Sequence, residues 1–213
     1  MVGCETALLC PALPSIPRTV GRASLPVLGP EIPRAGGPVS RALGRWVLGA
    51  MGFRVEGDFP NLRKFVIIAV PHTSNWDFPL AMGAKLALAI DAVWLGKHSI
   101  FVFPFSLLWR WLGGIPVDRS ARNDVVQQVT AEFAKRDRMI LALAPEGTRK
   151  RVERWRSGFY HIAHAAGVPI VGAALDWKAR VIRILPPFTT TGATDGDIAA
   201  LRQMFAGLEG RRR

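Results

Sequence analysis

Six consecutive apolar residues, Phe65-Val66-Ile67-Ile68-Ala69-Val70, run from Lys64 into Pro71. An apolar run of this length without alternation suits a strand covered on both faces, and it is short for a helix. The same character returns at Asp91–Leu95, Ile115–Val117, Met139–Ala144, Val168–Leu175 and Val181–Leu185. Between these runs lie stretches with helical spacing: 76–89, 104–112, 122–135, 158–166 and 195–208. In the 122–135 stretch, Val125, Val126, Val129 and Phe133 share a face. Continuous apolar strands separated by helices imply an α/β chain with a mostly parallel central sheet flanked by helices. Val181–Leu185 is expected to close the sheet. With 213 residues the chain has room for a single domain of ordinary size.

The amino-terminal part departs from this pattern. Residues 1–38 hold seven prolines and no sustained periodicity, so they are expected to form a disordered leader outside the domain. Over 39–52 the residues Val39, Leu43, Trp46, Val47, Ala50 and Met51 fall at helical spacing with Arg41 and Arg45 between them. This is a basic amphipathic helix that either packs on its own domain or docks on a membrane through Trp46 and the arginines. The folded domain is assigned to 53–213.

The formal net charge of +12 calls for an acidic partner: nucleic acid, anionic headgroups, or phosphorylated substrates. No nucleic-acid module accompanies the charge, which disfavours that class. Cys4 and Cys10 are the only cysteines, so a disulfide framework, a core thiol nucleophile and a zinc cluster are all unsupported. The start of the chain lacks the charged region of a secretory signal. The stretch Ile100–Val117 is the best candidate for a membrane span, but Pro104, Arg110 and Gly113-Gly114 interrupt it. A span wants about 20 apolar residues, and a central Arg adds roughly 2.5–3.5 kcal/mol to insertion. A peripheral or monotopic protein is expected instead. The aromatic crowding at Phe101, Phe103, Phe105, Trp109 and Trp111 reads as core packing, a half-embedded surface, or a slot for an acyl chain.

Chemistry concentrates after the strands. Pro71-His72-Thr73-Ser74-Asn75-Trp76-Asp77 follows the first apolar run, at the strand end where open α/β sheets display reactive groups. On a regular helix, residues five apart are turned about 140° from each other. His72 and Asp77 therefore meet only if His72 lies in the turn and Asp77 in the first helical turn. The imidazole would then be held by a carboxylate at one nitrogen while the other takes a proton. Ala144-Pro145-Glu146-Gly147-Thr148-Arg149 follows another strand and supplies a tight turn, backbone N–H groups, a hydroxyl and a guanidinium, which suit a phosphate. Gly113-Gly114-Ile115-Pro116-Val117-Asp118-Arg119 places a further Arg after a third strand. The run from Arg149 to Arg156 interleaves five cations with Trp155, and reads as a solvated face or as a contact for phosphates. Lys97, next to His98, and Lys150 and Arg151 in that run are candidates for the donor side. His161 and His164 have a metal-compatible spacing, but no further ligand stands nearby in sequence, and no metal is expected.

His72 to Asp77 resembles the H-x4-D motif of the glycerolipid acyltransferases, the group that includes lysophosphatidic acid acyltransferase. Ile115–Arg119, Pro145–Arg149 and Gly167–Val171 resemble the second, third and fourth motifs of that family. Their order and spacing match over Phe53–Leu185. Two positions depart: Pro71 stands where the family usually has Asn, and Gly172 where it usually has Pro. The resemblance implies the fold of the glycerol-phosphate acyltransferases. It also implies His72 as base, Asp77 as its orienter, and direct attack of an acceptor hydroxyl on an acyl thioester. Arg119, Glu146, Gly147, Thr148 and Arg149 would handle the acceptor, most simply 1-acylglycerol-3-phosphate. The donor would be acyl-CoA or acyl carrier protein, no cofactor would be needed, and the protein would lie on the cytoplasmic face of a membrane, against anionic lipid. Another lysolipid acceptor, a thioesterase and a non-catalytic basic lipid-binding protein are the competing readings. A lipase-like hydrolase is disfavoured because no Gly-x-Ser-x-Gly elbow is present.

Overall fold

The computed structural model describes residues 25–117, 122–147, 154–208 and 210–211, with 122–124 as backbone only. The elements are α1 (Pro38–Ala50), β1 (Arg54–Glu56), β2 (Lys64–Val70), α2 (Asp77–Leu88), β3 (Ala92–Lys97), α3 (Phe105–Trp111), β4 (Gly114–Val117), α4 (Arg122–Lys135), β5 (Met139–Leu143), α5 (Gly158–Ala165), β6 (Ile170–Asp176), β7 (Val181–Ile184) and α6 (Thr194–Met204). Seven strands form one sheet in the order β1-β7-β6-β2-β5-β3-β4. The five from β6 to β4 are parallel, and β7 pairs antiparallel with β6. The mostly parallel sheet is the expected one.

The apolar run Phe65–Val70 lies in β2, the middle strand, with β6 on one side and β5 on the other. Phe65, Val66 and Ile68 are fully buried, with consecutive residues feeding opposite faces of the sheet. One core gathers α1, α2 and the residues of one face, including Phe65, Leu80, Leu48 and Leu175. The other gathers α4, α5 and α6 around Ile68, Leu141, Phe133, Phe159 and Leu201.

Two boundaries differ from expectation. Val181–Ile184 does not close the sheet, because the short strand β1 pairs parallel with it outside, Arg54 against Val181. The described part of the leader is not outside the domain either. Ile32 is fully buried and Leu28 nearly so, both within the α1/α2 core. The backbone is tied down where Asp91 N–H donates to Pro33 O (2.9 Å) and Ala35 N–H to Ala89 O (3.0 Å). Prolines flank a turn here, in which Ile32 N–H donates to Gly29 O (3.4 Å), and that turn sets Ile32 into the core rather than keeping the chain off it.

Helix α1 packs on α2 through glycines. A Cβ on Gly44 would strike the backbone of Ala87, and one on Gly83 would lie 2.7 Å from Val47 Cγ1. The two backbones therefore approach closely, and the opposite side of α1 is left in solvent: Val39 is 82% exposed and Trp46 69%. The aromatic stretch divides in the same way. Phe78, Trp94, Phe101 and Trp109 pack on one another with centroids 4.9–6.2 Å apart, whereas Phe103, Phe105, Leu107 and Trp111 lie outward. Among the described residues no helix is long and apolar enough to cross a membrane.

Candidate active site

The carboxyl end of β2 opens into a loop that carries His72, and Asp77 begins α2. His72 Nδ1 lies 3.5 Å from Asp77 Oδ2. The arrangement is the one the five-residue spacing requires, with the ring in the turn and the carboxylate in the first helical turn. Asp77 is 1% exposed, and a carboxylate that deep needs donors. Its Oδ2 accepts the Ser74 N–H (2.7 Å) and its Oδ1 accepts the indole N–H of Trp177 (2.8 Å). The helix N-terminus favours a negative charge at the same place. The carboxylate is thus clamped from both oxygens, and the ring beside it has one orientation.

Glu146 arrives from the end of β5, on the other flank of β2. Its Oε2 accepts the backbone N–H of His72 (2.9 Å), which ties the histidine loop to the neighbouring strand end. Burial raises the Glu146 carboxyl above its ordinary range; the His72 N–H works against this, and the nearby Asp77 charge works with it. Gly147 follows with φ of 62°, a left-handed turn that glycine adopts without strain. Ser74, the one hydroxyl of the loop besides Thr73, is 2% exposed and its Oγ accepts the Trp76 N–H (3.2 Å). It is committed to the turn rather than presented to a substrate.

The structure therefore brings His72, Asp77 and Glu146 together, with Gly147 next to Glu146. Arg119, Thr148, Arg149, Lys150 and Arg151 lie outside the described residues, as does Asp118. Lys97 ends β3 at the same edge of the sheet, exposed, but β3 is two strands from β2, about 10 Å sideways. His161 and His164 are on the far face, where the His164 ring stacks on Tyr160 and its Nδ1 pairs with Thr190 Oγ1 (3.0 Å). Among the described residues no group of three metal-ligating side chains exists.

Trp177 was not among the sequence candidates. It follows β6 directly, a hundred residues from the carboxylate it touches. Its indole also stacks with cations, Arg180 at 5.5 Å and Arg211 at 5.1 Å from the ring centroid. The Gly172 departure has a packing reason: a Cβ there would lie 2.7 Å from Phe205 Cζ.

A histidine held by a buried carboxylate at the carboxyl edge of a parallel sheet, with the loop hydroxyl turned inward, makes a base suited to a hydroxyl that arrives with the substrate. The chain belongs to the acyltransferase family, whose model matches residues 52–176. Among similar proteins, the 1-acyl-sn-glycerol-3-phosphate acyltransferase of Escherichia coli (strain K12) is 31% identical over 120 residues, 53% of this chain and 47% of that protein. The enzyme of the same name from Haemophilus influenzae is 30% identical over 145 residues, 63% and 58% of the two chains. The alpha form from Mus musculus is 27% identical over 176 residues, 70% and 60%. This chain thus spans about half the length of the first of these relatives. The crystal structure of the 1-acyl-sn-glycerophosphate (LPA) acyltransferase PlsC from Thermotoga maritima superposes with a TM-score of 0.56 at 18% identity, covering 81% of this chain and 80% of that one. That likeness extends the shared fold over most of the domain.

Proposed function

We propose that this chain transfers a fatty acyl group from a thioester donor to the free hydroxyl of a lysophospholipid, 1-acylglycerol-3-phosphate, at a membrane surface. The observation that carries the reading is the His72–Asp77 pair, 3.5 Å apart and clamped at the carboxyl end of β2. Asp77 fixes the tautomer with the proton on Nδ1, so Nε2 is the base. His72 takes the proton of the acceptor hydroxyl as its oxygen attacks the thioester carbonyl. The tetrahedral intermediate collapses with loss of the C–S bond, and the imidazolium returns its proton to the leaving thiolate. The names of the relatives support the acceptor, and the loop residues Arg119, Glu146, Gly147, Thr148 and Arg149 are assigned to its phosphate and alignment. Lys97, Lys150 and Arg151 are assigned to the donor, coenzyme A or acyl carrier protein, and the reaction draws on no metal or cofactor.

The exposed faces of α1 and of the α3 region support the membrane part of the reading. Both belong to the α1/α2 side of the sheet, where Phe78 of α2 holds Trp94 and Trp109. Trp46, Phe103 and Trp111 stand outward there, beside Arg41, Arg45 and Arg110. Aromatic side chains with interspersed arginine suit the headgroup layer.

Pure protein is mixed with acyl-CoA or acyl carrier protein, a lysolipid panel and a thiol reagent. Thiol release that depends on 1-acylglycerol-3-phosphate is expected. Release without acceptor would make the chain a thioesterase, and silence with both donors would leave a lipid-binding protein. Separately, sedimentation with anionic vesicles is expected at low salt, to weaken at high salt, and to fall in Trp46→Glu. A chain that stays in the supernatant would end the membrane reading.

A further inference from the structure

Strands β5 and β6 lie on opposite sides of β2, so their carboxyl ends flank the His72 loop left and right. The β5 side carries Glu146 and Gly147. The β6 side carries something else: an open pocket of about 550 Å³. Its walls include Met51 at the end of α1, Trp76, Trp177, Lys178, Arg180 and Arg211. Among the described residues three cations line it and no acidic side chain does.

These groups are ordered by aromatic contacts. The Arg211 guanidinium lies 4.8 Å from the centroid of Trp76 and 5.1 Å from that of Trp177. Arg180 lies 5.5 Å from both Phe53 and Trp177, and its Nη1 donates to Met51 O (3.3 Å). Stacking holds a guanidinium in place without using up its five N–H groups, and the planar fork matches two phosphate oxygens. Trp177, which forms the wall between the two arginines, is also the donor to Asp77 Oδ1 at 2.8 Å.

We infer that this pocket is a phosphate-binding site on the β6 side of the His72 loop, opposite Glu146 and Gly147. It would take a phosphate group on a ligand with a flat or apolar portion to lie against Trp76 and Trp177. The proposed function supplies two such phosphates, that of the thioester donor and that of a lipid headgroup, and the inference rests on that reading only for naming these sources. The position fits both: it adjoins the carboxylate of the candidate dyad, and it adjoins the end of α1, whose outer face carries Val39 and Trp46 with Arg41 and Arg45.

The test measures binding, not turnover, so it stands apart from the test of the proposed function. Arg180→Gln, Arg211→Ala and the pair are titrated calorimetrically with free coenzyme A. They are titrated in parallel with nanodiscs of phosphatidylcholine, without and with phosphatidylglycerol. Arg136→Ala with Arg202→Ala, two exposed arginines of the α4 and α6 side, controls for the loss of two charges. The pocket pair is expected to weaken one of the two ligands at least tenfold while the control pair changes it less than twofold. Loss confined to coenzyme A identifies the donor's phosphate, and loss confined to the anionic nanodisc identifies the headgroup. The single Arg211→Ala variant removes no backbone hydrogen bond of the hairpin turn, and should show the same selectivity if Arg180→Gln perturbs folding. Equal affinity of the pocket and control pairs for both ligands would overturn the inference.

Discussion

Two aspartates in this molecule occupy nearly the same local setting and are used differently. Asp77 and Asp197 each sit in the first turn of a helix, α2 and α6, at 1% and 6% exposure. Each accepts hydrogen bonds on both oxygens. Asp197 Oδ2 takes the Tyr160 hydroxyl (2.7 Å) and the Thr191 N–H (2.6 Å), and its Oδ1 takes the Thr191 hydroxyl (2.9 Å). The Tyr160 oxygen is in turn an acceptor for Gly192 N–H (3.0 Å), and the ring is 1% exposed. That network is closed: it pins the start of α6 to α5. At Asp77 the ring partner is His72, whose side chain keeps 21% of its surface. The same carboxylate chemistry ends in a pinned helix in one case and in an accessible imidazole in the other. The difference lies in the partner, not in the acid.

The largest expected effect breaks the accessible side. His72→Ala should lower acyl transfer by about 10²–10⁴-fold, the usual worth of a general base, with an unchanged circular dichroism spectrum. Substantial turnover by the folded variant would remove His72 from the mechanism. Asp77→Asn comes next. It keeps the size of the side chain but can no longer hold the imidazole tautomer or stabilise the imidazolium, so a loss smaller than that of His72→Ala is expected, mostly in kcat. A variant that loses stability but keeps kcat would show that Asp77 resembles Asp197 after all.

The sequence made one of these aspartates readable and hid the other. His72 and Asp77 share six residues, so a turn followed by a helix sufficed to bring them together. Tyr160 and Asp197 are 37 residues apart, and Trp177 reaches Asp77 across a hundred, separations at which no local rule pairs two side chains. The same holds for the fold. Lys64–Val70 and Arg122–Lys135 have the expected ends because Pro71 stops the first, and apolar periodicity with a basic last turn marks the second. Strand β1 has three residues with one buried, too few for any period to show. The antiparallel direction of β7 is legible in the spacing. Only four residues separate Asp176 from Val181, whereas a parallel connection needs a dozen or more. Asp176 Oδ1 closes that turn by accepting the Ala179 N–H (2.9 Å). In residues 25–37 the proline content reads as disorder, whereas Ile32 supplies an apolar anchor that holds this described part of the leader down.

Asp197→Asn sharpens the comparison from the structural side. Thr191 N–H, followed by the hydroxyls of Tyr160 and Thr191, holds the Asp197 carboxyl below its ordinary range against the opposing cost of burial. A lowered folded value means that the unfolded state binds the proton more readily. The contribution to stability is therefore present above the unfolded value, near pH 4, and is lost as pH falls through the folded one. The variant should melt several degrees below the parent at pH 7, with transfer activity unchanged at temperatures where it is folded. The gap should narrow in acid. A gap that is constant with pH would mean that the carboxylate charge contributes nothing and shape alone matters.

The smallest effect concerns Glu146, and its sign is opposite. Burial raises this carboxyl above its ordinary range, with the His72 N–H offsetting part of the shift and Asp77 adding to it. A raised folded value means that the native state holds the proton more tightly than the unfolded chain. Stability is then lost, not gained, as pH rises from the unfolded value, near 4, through the folded one. Glu146→Gln removes the titration but keeps an oxygen that can accept the His72 N–H. It should therefore melt at the same temperature as the parent near pH 4 and on the order of a degree or two higher at pH 7. Differential scanning calorimetry across that range decides it. A variant that is less stable at pH 7 would show that the ionised carboxylate is worth more to the His72 loop than its burial costs. Glu146 would then belong with Asp197 as an acid the fold keeps charged.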